Sequence, residues 1–171
     1  GGRRAGGRGA GRVVLPGARA WVGVGGGLAA GRVAGQRTEI DRLNAELEPF
    51  RILHGTEMEI RADATLDYPD EILAAFDFVV ASVHTSRGQS IEQLTKRTLA
   101  ALDNPNVDVI AHPTGKIVNR RDPIVLDWPR IFEAAARTGT AMEMNGSPRL
   151  DLDDALARAA GQAGVRLTLA S

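Results

Sequence analysis

Three side chains of metal-ligand type, Glu57, His84 and His112, each close a run of β-branched or apolar residues: 51–57 (RILHGTE), 78–84 (FVVASVH) and 107–112 (VDVIAH). Glu57 and His84 are 27 positions apart, and His84 and His112 are 28 apart. A strand, a helix and two short connections take about 30 residues. The spacing therefore predicts three consecutive βα units with the three side chains at one level of a parallel sheet. Reacting groups of such sheets gather at the carboxyl ends of the strands. Two imidazoles and one carboxylate suit zinc, manganese or iron, with coordination positions left for water and a substrate oxygen. Taken singly, Glu57 reads more readily as a rim carboxylate than as a ligand, and His84 reads also as a histidine bonded to a loop carbonyl and His112 as a strand terminator. Their regular spacing is what favours a shared site.

The surrounding elements read with clear punctuation from Thr38 onward. Thr38 is expected to cap a helix that buries Ile40, Leu43 and Leu47, followed by a strand over 50–58. Pro69 opens a short helix with Ile72, Leu73 and Phe76 inward. A strand over 77–83 leads to His84, and Ser90 with Gln93 forms a capping box before a helix over 91–102 that presents Leu94, Leu99 and Leu102. Asn104 and Pro105 end it. The second half repeats the alternation: a strand over 107–111, a polar loop with Lys116, Arg120 and Arg121, and a helix capped by Asp127, with Ile131, Phe132 and Ala135 inward and Gly139 as its stop. A strand over 140–145 then reaches Asn145 and a Gly-Ser-Pro turn. A helix over roughly 152–163 ends at Gly164, and a strand over 165–170 runs to Ser171. The class predicted is α/β, a parallel sheet with helices outside.

Composition bounds the function. A chain of 171 residues with 43% hydrophobic and 25% charged residues is an ordinary globular composition, long enough to bury a core. It has no cysteine, which excludes disulfides and thiolate metal sites and makes a cytoplasmic location the expectation. No run approaches the roughly 20 apolar residues of a membrane helix, and the amino terminus lacks a signal-peptide core. The zero net charge hides an asymmetry: seven arginines precede Glu39, the first acidic residue. The rest of the chain carries 14 of the 21 basic residues and all 21 acidic ones. Residues 1–37 also hold 13 of the 20 glycines. This segment is expected to be low in complexity, disordered or translated out of frame, with the patterned domain occupying 38–171. An Arg/Gly arm for nucleic acid is the functional alternative, although Trp21 is its only aromatic residue. The run GVGGG (23–27) lacks the third glycine or alanine of a dinucleotide loop.

The blocks EIDRLNAEL (39–47), ILHGTEMEI (52–60), LDYPDEIL (66–73), DFVVASVHTS (77–86), NPNVDVIAHPTGK (104–116) and TGTAMEMNGSPRLDL (138–152) resemble the polymerase and histidinol phosphatase (PHP) domain. The version they are most similar to stands at the carboxyl terminus of bacterial family X DNA polymerases. The resemblance implies an incomplete seven-stranded βα barrel with about five βα units present, the domain being truncated at both ends. It implies metal-dependent phosphoester hydrolysis and, in the polymerase-linked branch, 3′–5′ exonuclease action on DNA ends during repair. Glu57 then matches the family's metal-bridging glutamate, and His84 and His112 match two histidines that share one ion with it. The opening His-x-His, two further histidines and the closing Asp-x-His have no counterpart. Of three divalent ions, zinc or manganese, expected in the intact site, one is supported here. DNA 3′ ends are the implied partner, reached through the parent polymerase, and the isolated fragment is expected to self-associate. The alternatives are a free-standing phosphatase of small phosphomonoesters such as histidinol phosphate and a non-catalytic remnant.

Secondary candidates surround the three ligands. Lys116, Arg120 and Arg121 are candidates for phosphate contacts, with a solvated loop as the alternative, and Asn145 is a candidate rim hydrogen-bonder. His54, on the opposite face of its strand from Glu57, is expected to serve the core or to support a ligand from outside the site. Glu59 shares Glu57's face and is expected past the strand end. Met142 and Met144 read as packing residues.

Overall fold

A computed structural model of the chain describes residues 12–17, 26–146 and 150–170. Six parallel strands form one sheet in sequence order: β1 (Arg12–Gly17), β2 (Arg51–Glu59), β3 (Phe78–Ser82), β4 (Val109–Ile110), β5 (Ala141–Asn145) and β6 (Leu167–Ala170). Between them run α1 (Gly26–Glu46), α2 (Asp70–Leu73), α3 (Ile91–Asp103), α4 (Trp128–Thr138) and α5 (Asp154–Gln162). Among the described residues β1 pairs only with β2, and β6 only with β5. The α/β class and the parallel order are those predicted.

The helices from α2 onward form where their caps and apolar spacing place them. Pro69 stands at the N-cap of α2, and Leu73 is its buried residue, whereas Ile72 and Phe76 are only partly covered. Ser90 and Gln93 make both reciprocal bonds of a capping box, and Asn104 is the C-cap of α3. Asp127 caps α4 through the Arg130 N–H, and Gly139 at φ 77° ends it in the left-handed conformation that glycine adopts without steric cost. Asp153 caps α5. The core between sheet and helices includes Met58, Leu73, Val79, Leu102, Ile131 and Met142. Burying each such side chain contributes about 1.5–3 kcal/mol. Met144 is only partly buried.

The amino-terminal region departs from expectation. Thr38 is not an N-cap, because α1 is already twelve residues under way and the Thr38 hydroxyl donates back to the Ala34 carbonyl at 3.1 Å. Leu47 lies past the helix end and is exposed. Glycine disfavours a helix by about 1 kcal/mol per residue, so α1 depends on what it docks against. Val33 and Ile40 are buried, and Arg37 makes two bonds to Asp77 Oδ2 at 2.8 and 2.9 Å. Asn44 brackets Ile52, accepting from its N–H at 2.7 Å and donating to its carbonyl at 2.9 Å. Tertiary contacts along one face of α1 thus outweigh its weak intrinsic propensity. β1 likewise lies inside the Gly/Arg-rich segment and aligns Arg12 with Arg51 through Gly17 with Thr56. The rest of that segment, the turn at 147–149 and Ser171 fall outside the described residues.

Candidate metal centre

Glu57 lies on β2, His84 two residues beyond the end of β3, and His112 two residues beyond the end of β4. The three adjacent parallel strands bring one donor atom from each residue to within 4.8 Å of the others. Glu57 Oε1 stands 3.1 Å from His84 Nε2 and 3.2 Å from His112 Nε2, and the imidazole centroids are 5.1 Å apart. Glu57 and His84 are partly open to solvent, while His112 is buried. Hydrogen bonding to His112 and then to His84 holds the Glu57 carboxyl far below the usual carboxylate range. Glu57 and then Glu59 push the His84 imidazole up to about 9. One carboxylate and two ring nitrogens converging in this way can hold a divalent ion. The donor set therefore fits such an ion.

The two histidines are held by residues outside the triad. Glu59 is the last residue of β2, not past its end as the sequence suggested, and it is buried. Its Oε2 accepts from the His84 backbone N–H at 2.9 Å and stands 2.9 Å from His84 Nδ1. Its Oε1 accepts from the Thr85 N–H at 3.0 Å, the Thr85 hydroxyl at 2.9 Å and Arg97 Nη2 at 3.1 Å. Burial opposes its ionised form, but the bonds from His84 and Thr85 win, and its pKa is lowered. Arg97 reaches this point from α3 with no exposed surface, and it also donates to the carbonyls of Thr85 and Ile60.

His112 is secured differently. Its φ of 32° is one that L residues rarely adopt, and the surroundings over-determine it. Glu143 on β5 accepts the His112 backbone N–H, and Asn145 Nδ2 donates to the other Glu143 oxygen at 3.3 Å. Asp151, wholly buried, accepts from Thr114 N–H at 3.0 Å and Gly115 N–H at 2.6 Å. Gly115 has φ 60°, and a Cβ there would meet Arg87 Nη1 at 2.1 Å. Arg87 Nη2 donates to the Thr114 carbonyl at 3.0 Å, tying the loop after β3 to the loop after β4.

The remaining candidates divide. Lys116, Arg120 and Arg121 lie on the β4–α4 loop; Arg120 is exposed, and Arg121 Nε donates to the Gly115 carbonyl at 2.7 Å. Asn145 supports Glu143 as described. His54 is fully buried, 3.3 Å from Gln36 Oε1 and packed at a tilt against Phe76 with ring centroids 4.6 Å apart, so it belongs to the core. Sequence reasoning missed Arg97, although it is three residues after Leu94 and four before Ala101, on the buried face of an amphipathic helix. Asp151 sits in an LDLDD run that carries no such signal.

No family model matches the chain. It is 47% identical over 144 residues, 84% of its length, to the DNA polymerase/3′-5′ exonuclease PolX of Bacillus subtilis. It is 36% identical over 106 residues to a probable phosphatase of Caldanaerobacter subterraneus, and 31% identical over 140 residues to a probable phosphatase of Clostridium acetobutylicum. The chain is homologous to these proteins. The aligned region spans 25% of the Bacillus protein and 39% of the Caldanaerobacter one. Among the described residues no helix is long and apolar enough to cross a membrane.

Proposed function

We propose that this chain is part of a metal-dependent phosphoesterase domain of the PHP type, an incomplete βα barrel that trims DNA 3′ ends in the context of a family X polymerase. The observation that carries this reading is the meeting of Glu57, His84 and His112 donor atoms at the carboxyl ends of three adjacent strands. The homology to a polymerase/exonuclease supports the substrate class. In this reading Glu57 Oε1, His84 Nε2 and His112 Nε2 hold one zinc or manganese ion. A bound divalent ion supplies Lewis acidity toward a phosphoryl oxygen and lowers the pKa of water. Glu57 brings the negative charge that favours the ion, and the partly open faces of Glu57 and His84 are where a phosphate approaches. Lys116, Arg120 and Arg121 contact the phosphate backbone, sequence-independently. The domain works in the cytoplasm on DNA delivered by the parent polymerase, and the exposed β6 edge makes the isolated chain self-associate.

The test is metal content after dialysis together with manganese-stimulated release of nucleotides from a labelled DNA 3′ end. Retained metal that disappears in His84→Ala, with little or no nucleotide release by the 171-residue chain itself, is the expected result. Full metal retention in His84→Ala defeats the reading. The matches to probable phosphatases favour a second reading, a phosphatase of small phosphomonoesters. Hydrolysis of histidinol phosphate or p-nitrophenyl phosphate in preference to a DNA 3′ end would select it.

A further inference from the structure

Five donor groups converge on the two oxygens of Glu59: the His84 N–H and Nδ1, the Thr85 N–H and hydroxyl, and Arg97 Nη2. An ionised carboxylate only accepts. Each of the five neighbours must therefore bring a hydrogen, so His84 Nδ1 carries one whether or not Nε2 does. The other nitrogen, Nε2, is the one aimed at Glu57 Oε1. We infer that Glu59, anchored by the buried Arg97, is a positioning residue that fixes the tautomer and ring orientation of His84 and so presents Nε2 to the metal. This inference rests on the metal-centre reading above and adds to it a residue outside the three ligands.

The geometry gives Glu59 a role that mere packing would not require. It contacts the backbone and the side chain of the same histidine, so it fixes both where the residue starts and which way the ring turns. Arg97 completes the device from α3. One guanidinium nitrogen bonds Glu59 and the Ile60 carbonyl, and the other bonds the carbonyls of Thr85 and Ser86 and Gln89 Oε1 at 2.8 Å. The end of β2 and the loop carrying His84 are thereby joined through one buried cation. A partner of this kind typically alters metal affinity by about 10–100-fold when removed.

The experiment uses the whole 171-residue chain and zinc alone as the probe. Glu59→Gln offers one acceptor oxygen and an NH2 where two acceptors are needed. It is expected to weaken zinc binding by about 10–100-fold and to remove the exchange-protected His84 Nδ1–H signal from the 1H–15N spectrum. Because Glu59→Gln leaves Arg97 buried without its counter-charge, the double variant E59Q/R97M removes both charges together, an exchange that proteins often tolerate. It is expected to stay folded and show the same loss. Parent-like zinc affinity in either folded variant overturns the inference. So does a zinc-loaded parent chain in which His84 coordinates through Nδ1. His112→Ala separates the two levels of argument: undiminished zinc binding there defeats the metal-centre reading, while the Nδ1–H signal of the metal-free parent still decides the role of Glu59.

Discussion

The rim built by β2, β3 and β4 and the rim built by β5 and β6 come from the same repeating unit, yet they carry different chemistry. On the first, Glu57, Glu59, His84 and His112 interlock at about 3 Å, and two of them are buried. On the second, Glu143 accepts the His112 N–H and is braced by Asn145, and β6 carries Leu169 85% exposed. The contrast teaches that the strands divide labour along the sheet, with donors on three neighbours and support on the next. Exposed apolar surface marks the last.

The largest effect that would break this contrast is loss of a donor. His84→Ala or His112→Ala should lower zinc or manganese affinity by more than the roughly 100-fold ascribed to outer partners. His54→Ala should leave it nearly unchanged, as equilibrium dialysis would report. Asp151→Ala tests the supporting side. It strands two buried N–H groups, each costing about 1–3 kcal/mol, so a loss of roughly 2–6 kcal/mol in denaturant unfolding is expected.

The pH dependence sharpens the comparison because it belongs to the first rim. His84 is raised to about 9 from an ordinary 6.5, so its contribution to the metal-free fold is fully present below 6.5. It is lost as pH rises through 9. Coordination requires the Nε2 lone pair, so the ion competes with a proton. Zinc affinity should rise about tenfold per pH unit approaching 9, and His84→Ala should lose this slope. Calorimetry in buffers of different ionisation enthalpy would count the released proton.

Smaller effects belong to the loop and the edge. Lys116→Ala or Arg120→Ala should weaken DNA binding a few-fold and reduce the salt slope by about one, with stability changed by less than about 0.5 kcal/mol. Leu169→Lys should leave zinc affinity unchanged and reduce self-association in sedimentation. An altered zinc affinity there would show that β6 contributes to the first rim.

What was legible in the sequence follows from the same physics. Glu57, His84 and His112 could be read because strand ends recur at a fixed interval, and α3 and α4 because their caps are local. Glu59 was misplaced by one strand boundary, since β2 continues two residues past Glu57 while pairing Glu59 with Ser82. The start of α1 was not legible because its glycine-rich sequence has weak helix propensity and one of the contacts that hold it, Arg37 with Asp77, spans 40 residues. Asp151 was missed for a like reason: its partners, Thr114 and Gly115, are more than thirty residues away.

Strand order that equals sequence order also has a temporal meaning. The order of synthesis is therefore the order of the strands across the sheet, each strand being made directly after the neighbour it pairs with. His112 is synthesised with β4, but the carboxylate that pins its backbone arrives only with Glu143 on β5. The growing chain thus carries Glu57, His84 and His112 one full unit before Glu143 exists to accept the His112 N–H.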